Sequence, residues 1–306
     1  MKDSPFFKQA DLLVQILPFV NAETCFALKG GTAINFFVRN FPRLSVDIDL
    51  VYVPVEDRAT SLQAIDGALK RIAARIRRSM PAAHVTERKL GADASVVKLM
   101  VRVPNVGEVK IEPNIVLRGV VHPTAELTLV SRAVEVFGRS ATMQTVSVPE
   151  LYGGKLCAAL DRQHPRDLFD VHGLLQAEGI TDEIRRAFVI FLASHDRPMN
   201  ELLTPNRQNL EQVFANQFEG MTLDPVPLAV LEATREELIE HVNSRLTTAE
   251  REFLLSVKRL EPKWDLLGVP GVERLPGVQW KLYNLRKMKP ARRLAAEQLL
   301  QRKLGL

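Results

Sequence analysis

Residues 46–53 read Val-Asp-Ile-Asp-Leu-Val-Tyr-Val, an apolar run broken only by two carboxylates set two apart. A strand alternates its side chains between two faces, so Asp47 and Asp49 leave the same face, about 6 to 7 Å apart at the backbone. Ile48 and Leu50 take the other. The run therefore specifies a strand with one face in a core and one face holding charge. Two unpaired carboxylates repel each other and are costly to bury, which favours a divalent ion or a Lys/Arg partner between them. Just upstream, Cys25 to Leu28 reads as a short buried strand running into Gly30-Gly31, and Thr32 to Arg39 has helical spacing. A glycine pair in a strand-to-helix turn lets the backbone approach a ligand closely and aims first-turn amides at it, a geometry suited to phosphate.

The remaining elements divide the chain by pattern. Phe6 to Val20 is helix-spaced (Phe7, Leu12, Leu13, Ile16, Leu17), and Glu56 to Ser79 is a long amphipathic helix ended by Pro81. Three β-rich runs follow at 83–90, 95–103 and 106–117. From Pro149 onward the periodicity is helical throughout, first around Leu151, Leu156 and Leu160, then over Arg166 to Gln176. The expected organisation is a mixed α/β domain over residues 1–148 and an all-helical domain with a basic tail over 149–306.

Further candidate residues lie downstream. In Val109-Lys110-Ile111-Glu112, Lys110 and Glu112 share one strand face. Glu112 can serve as a third carboxylate of an oxygen-rich site that holds magnesium with substrate phosphates, or it can pair with Lys110 or Lys98 on the sheet surface. Lys155 lies on a helix whose other positions are mostly apolar or small, so its ammonium either reaches a cleft, where it can hold a nucleotide phosphate, or snorkels from a half-buried face. Arg166 and Asp170 are four apart and suit an ordinary surface pair, which leaves Asp167 to orient Lys155 or to assist an acceptor hydroxyl. His164 reads as a loop residue, and the other histidines lack metal-ligand spacing, which argues against zinc. No Walker-type loop is present.

In order along the chain, Gly30-Gly31-Thr32, Arg43-x-Ser45-x-Asp47-Ile48-Asp49-Leu50, Val109 to Glu112, Glu150-Leu151-Tyr152-Gly153-Gly154-Lys155-Leu156 and Arg166-Asp167-Leu168-Phe169-Asp170-Val171 resemble the motifs of the AbiEii/AbiGii-type nucleotidyltransferase toxins of toxin-antitoxin and phage-defence systems. The resemblance covers about residues 25–172. It implies an α+β fold with a polymerase-beta-like mixed sheet, followed by an all-helical region. It also implies NMP transfer from an NTP, with Asp47, Asp49 and Glu112 as ligands of Mg2+ (or Mn2+). Gly30, Gly31, Thr32 and Ser45 would line the nucleotide, Lys155 would bind it, and Lys155 and Asp167 would act with Asp47 and Asp49 in catalysis. Two features depart from the wider superfamily: the third acid is Glu rather than Asp, and the spacing from the glycines to Asp47 is longer. The implied acceptor is RNA, most sharply the 3′ end of tRNA; a protein hydroxyl is the alternative acceptor, and an inactive RNA- or partner-binding regulator is the alternative class. A cognate antitoxin is implied by the resemblance alone.

Charge distribution bears on the acceptor. The net charge is +5, but from Arg245 to Leu306 there are 14 Lys/Arg against 6 Asp/Glu. A net +8 tail on a near-neutral body suits a polyanion, or it is a solvated helix surface. Trp280, Leu282, Tyr283, Leu285, Leu294, Leu299 and Leu300 are expected to pack on the helical domain and leave Lys281, Arg286, Lys287, Lys289, Arg292, Arg293, Arg302 and Lys303 in solvent. No apolar run is long enough for a membrane span and no secretion signal is visible at the N-terminus. Cys25 and Cys157 are too few for a disulfide framework, so a cytoplasmic protein is expected.

Overall fold

The structure is a computed structural model describing residues 4–91 and 95–306. The chain divides into two compact units, one running to Ser147 and taking in Phe218–Pro225, the other holding Val148–Gln217 and Val226–Leu306.

The first unit contains α1 (Pro5–Asn21), β1 (Phe26–Lys29), α2 (Gly30–Ala33), β2 (Asp47–Tyr52), α3 (Arg58–Ser79), β3 (His84–Leu90), β4 (Ser95–Val103), β5 (Gly107–Asn114), β6 (Ala125–Thr128), α4 (Ser131–Phe137) and β7 (Thr142–Thr145). The strands form one mixed seven-stranded sheet in the order β3-β4-β5-β2-β1-β7-β6. Near its centre, β2 runs antiparallel to β1 and parallel to β5. Ile48, Leu50, Val109 and Ile111 are fully buried, and α1 and α3 pack against the sheet. Asp57 caps α3 by accepting from the amides of Ala59 and Thr60. The buried positions Ile65, Ala68, Leu69, Ile72 and Ile76 of α3 recur at three- and four-residue steps, as an amphipathic helix requires.

Two features of this unit are not evident in the sequence pattern. The stretch from Ala125 to Thr145 supplies β6, α4 and β7, and β7 joins β1 in parallel through Leu28 and Thr145. The segment Phe218–Pro225 returns from within the helical sequence: the Leu44 amide donates to the Met221 carbonyl (2.8 Å) and the Leu223 amide to that of Pro42 (3.0 Å). Phe218 and Met221 are buried there. A linear boundary at residue 148 does not contain this return, because two short backbone hydrogen bonds and two apolar side chains carry little periodic signal.

The second unit is helical: α5 (Val148–Arg162), α6 (Pro165–Leu175), α7 (Asp182–Ser194), α8 (Met199–Leu203), α9 (Glu211–Gln217), α10 (Leu228–Arg245), α11 (Thr248–Arg259), α12 (Pro276–Lys287) and α13 (Pro290–Leu304). The Arg185 guanidinium of α7 meets the buried Glu250 carboxylate of α11 at 2.9 Å, and Glu250 also completes a capping box with Thr247. The tail departs from expectation in both directions. Lys281 is buried, donating to the carbonyls of His195 (2.6 Å) and Arg197 (2.8 Å), and burial pushes its pKa down to about 8. Trp280, Tyr283, Leu294 and Leu299 are instead exposed. Among the described residues, no helix is long and apolar enough to cross a membrane.

Helices α5 and α7 approach closely because of Gly153, where an added Cβ would lie 2.7 Å from the backbone of both Ala187 and Phe188. Gly173 of α6 has nothing within 4 Å of such a Cβ. Gly153→Ala should therefore destabilise by about 1–3 kcal/mol through overpacking, whereas Gly173→Ala should stabilise by about 0.5–1 kcal/mol. Urea midpoints of the two variants check the contrast, and equal shifts of one sign would contradict it.

Candidate active site

In the first unit the glycine turn and β2 are fitted to one another. Gly30 has φ +72°, a left-handed conformation that glycine adopts freely. A Cβ there would sit 2.6 Å from Asp49 Oδ2, so the missing side chain makes room for the carboxylate. A Cβ on Gly31 would sit 2.6 Å from a terminal nitrogen of Arg43, a guanidinium that is itself buried. Thr32 Oγ1 lies 2.8 Å from Ser45 Oγ and 2.5 Å from the Asp47 carbonyl oxygen. Both hydroxyls are buried and tie the start of the helix to the start of β2. No side chain caps α2, whose backbone continues as a π-turn over Ile34–Val38.

Asp47 and Asp49 occupy the partly exposed face of β2. In the parallel ladder to β5, Asp47 is level with Lys110 and Asp49 with Glu112. Glu112 is held between two lysines: it contacts Lys98 and lies 2.9 Å from Lys110. Burial pushes its pKa up, but the two ammonium groups outweigh this and hold it below the usual carboxylate value. Burial likewise lowers the pKa of Lys110, and the charges of Asp47, Glu112 and Asp49 outweigh it and raise that pKa. Lys110 is 3.9 Å from Asp47. The expected convergence of three carboxylates is thus not what the face presents. Among the described residues, no three Asp, Glu, His or Cys side chains gather as a metal-holding group, and Glu112 is engaged by Lys98 and Lys110. Lys29, opposite Asp49 in the β1–β2 ladder, shares this face, so the three acids stand among three lysines. Asp47 and Asp49 offer hard oxygen donors of the kind Mg2+ and Mn2+ take, so this pair fits a divalent cation.

In the second unit, Lys155 and Asp167 form a buried ionic cluster. Lys155 Nζ donates to Asp167 Oδ1 at 2.6 Å and lies 3.0 Å from Asp170 Oδ2. Arg162 Nε donates to Asp167 Oδ2 at 2.5 Å from the solvent side. Burial acts to raise the Asp167 pKa, and Lys155 and Arg162 overcome it, holding the carboxyl far below its ordinary value. Lys155 does not extend into an open cleft, and Asp170 is not a surface residue, since its side chain is fully buried. Of the two roles left open for Asp167, orienting Lys155 matches this geometry. The α5–α6 turn fixes the arrangement: Gln163 adopts φ 49° and donates to the Asn206 carbonyl (2.7 Å). His164 caps α6, its Nδ1 accepting from the Arg166 amide at 3.1 Å. The sequence pattern does not mark Arg162 and Asp170 as partners in this cluster, although Asp170 falls three residues after Asp167 and so on the same helix side.

The family model for the nucleotidyl transferase AbiEii toxin of type IV toxin-antitoxin systems matches residues 11–281. Among solved structures, MenT4, a nucleotidyltransferase toxin of Mycobacterium tuberculosis H37Rv, superposes with a TM-score of 0.57 at 18% identity, covering 92% of this chain and 94% of that one. The fold is therefore that of a nucleotidyltransferase toxin. No curated protein sequence matches.

The Asp167 carboxyl has a folded pKa below its unfolded value of about 3.9. Its stabilising contribution is accordingly present above that value and is lost as pH falls below it. Asp167→Asn should lower stability at pH 7 by about 3–5 kcal/mol, because it leaves Lys155 buried with one fewer counter-charge. It should also flatten the loss of stability on acidification below about pH 4. Thermal melts across pH 2–7 check both; an unchanged melting temperature at pH 7 would contradict the cluster.

Proposed function

Because the chain belongs to the AbiEii family of nucleotidyltransferase toxins, we propose that it transfers NMP from an NTP to a hydroxyl on RNA, the 3′ end of tRNA, in the cytoplasm and opposed by a cognate antitoxin. The observation that carries this reading is the acid pair on the open face of β2, with Asp49 set against the side-chain-free Gly30 of an uncapped turn. In the reaction an acceptor oxygen attacks the α-phosphorus and the bond to the β-phosphate oxygen breaks. Pyrophosphate leaves with that electron pair, and the acceptor proton passes to a base. A divalent cation, Mg2+ or Mn2+, neutralises triphosphate charge and makes the acceptor hydroxyl more acidic; Asp47 and Asp49 would hold it.

The chain's own groups divide the remaining work. First-turn amides at Gly30, Gly31 and Thr32 have no intrahelical acceptor and suit phosphate oxygens. Thr32 and Ser45 keep the turn registered on β2 through their hydroxyl contact, as the wall of the nucleotide site. Lys98 and Lys110, steadied by Glu112, add positive charge beside the acids that attracts a triphosphate. Glu112 acts there rather than on the cation. In the helical unit Asp167 and Asp170 hold the Lys155 ammonium in one orientation, and it is the resemblance of its motif that supports a nucleotide-binding role for it. The net +8 of residues 245–306 supports a nucleic-acid acceptor.

Incubating the purified protein with total RNA, Mg2+ and each labelled NTP in turn should place label in RNA. Asp47→Asn and Asp49→Asn should each lower the rate at least about 100-fold while leaving metal-free thermal stability unchanged or raised, since a like-charge neighbour is removed. Glu112→Gln should cost less than either. Label entering protein and no RNA would replace the proposed acceptor with a protein hydroxyl.

A further inference from the structure

The apolar residues of α12 do not all serve its packing. Val278, Leu282 and Leu285 are buried, and Lys281 fastens the same side to the His195 and Arg197 carbonyls. The opposite side is exposed, yet it carries Trp280 and Tyr283, each 45% exposed. An isolated surface aromatic requires no explanation, but these two are ordered against each other. Their rings stack with centroids 5.5 Å apart and planes at 22°, and the Lys287 ammonium lies over the Tyr283 ring, 4.2 Å from its centre. Positions 280, 283 and 287 follow the three- and four-residue steps of one helix side, so indole, phenol and ammonium form a column along it. Trp280 has no second ring or cation against it among the described residues. Arg286 is exposed beside the column, and α12 contains no Asp or Glu.

A stacked aromatic pair with an ammonium over one ring, on a helix that carries no acid of its own, matches what an unpaired nucleobase requires: a π-face to stack on and positive charge for the adjoining phosphate. An acidic protein segment would use the cations but has no planar group for the indole. Base-paired RNA would use the cations too, but its bases are already stacked within the helix. The rings are held by each other and by Lys287, so little rotamer freedom is lost when a base joins them.

We propose that Trp280 and Tyr283, with Lys287, form a stacking platform for unpaired bases of single-stranded RNA. This deepens the RNA-acceptor reading and rests on it for its biological role, though the binding it asserts can be measured separately. The chain has two tryptophans, and Trp264 packs against Phe253. In Trp264→Phe protein the indole signal therefore comes from Trp280 alone. A short single-stranded RNA of mixed sequence should quench it, and the same strand annealed to its complement should quench it much less. Trp280→Ala and Tyr283→Ala should each weaken single-strand binding about 5- to 100-fold without altering its salt slope, because stacking releases no counterions. Lys287→Ala should reduce the log-log slope by about one. Trp280→Phe should retain most of the affinity, since a π-face remains.

Unchanged affinity in both alanine variants, or equal quenching by duplex, would overturn the platform. So would a wild-type dimer in sedimentation that Trp280→Ala dissolves, which would assign this face to a second copy of the chain. The two readings fail separately. If wild type labels RNA with NTP and Trp280→Ala leaves both RNA affinity and the KM for RNA unchanged, the platform is wrong and the acceptor reading stands. If wild type labels no RNA while single-strand binding still depends on Trp280, the platform stands and the acceptor reading falls.

Discussion

The period of two along β2 is the constraint on which the first unit depends. Ile48 and Leu50 must enter the core between sheet and helices, and the pleat then obliges Asp47 and Asp49 to emerge together on the other side. A shift of one residue in register would put both carboxylates into the apolar layer, so the core and the acid pair fix each other. Neighbouring strands complete the arrangement. Antiparallel β1 ends level with Asp49 and turns at Gly30, while parallel β5 brings Lys110 and Glu112 to the same level.

Charge in the two units is handled in contrasting ways. On the sheet face, Asp47 and Glu112 lie among Lys98 and Lys110 with each of these side chains only partly buried, so the charges stay open to solvent. In the helical unit, Lys155, Asp167 and Asp170 are held almost entirely out of water, and the largely exposed Arg162 guanidinium closes the cluster from the solvent side. Such a buried cluster contributes modest net stability when whole and is costly to break. It supplies a fixed orientation for Lys155 rather than a mobile cation.

Much of this was legible in the sequence, and the parts that were not have physical reasons. Alternation placed Asp47 and Asp49 on one face, and helical spacing located α3, α5 and α6 close to their observed limits. Motif order identified the family. The engagement of Glu112 with Lys98 and Lys110 was one of two readings, because a shared face does not say which opposite charge lies nearer. Asp170 looked like half of a surface pair because local spacing carries no information about depth. Trp280 and Tyr283 read as packing residues because hydrophobicity suggests burial; Lys281, a cation, holds the inner side of α12 instead. The return of Phe218–Pro225 depends on long-range backbone pairing to Pro42 and Leu44, which leaves no periodic trace.

Central to the proposed function is that Asp47 and Asp49 together hold a divalent cation for nucleotidyl transfer, with Glu112 serving the lysines. The most direct measurement is Mn2+ binding in the presence of a non-hydrolysable NTP analogue, followed by the electron paramagnetic resonance signal of the free ion. The account predicts a Mn2+ site that is lost in Asp47→Asn and in Asp49→Asn and kept in Glu112→Gln. Binding that survives both aspartate substitutions, or that disappears only with Glu112→Gln, would contradict it.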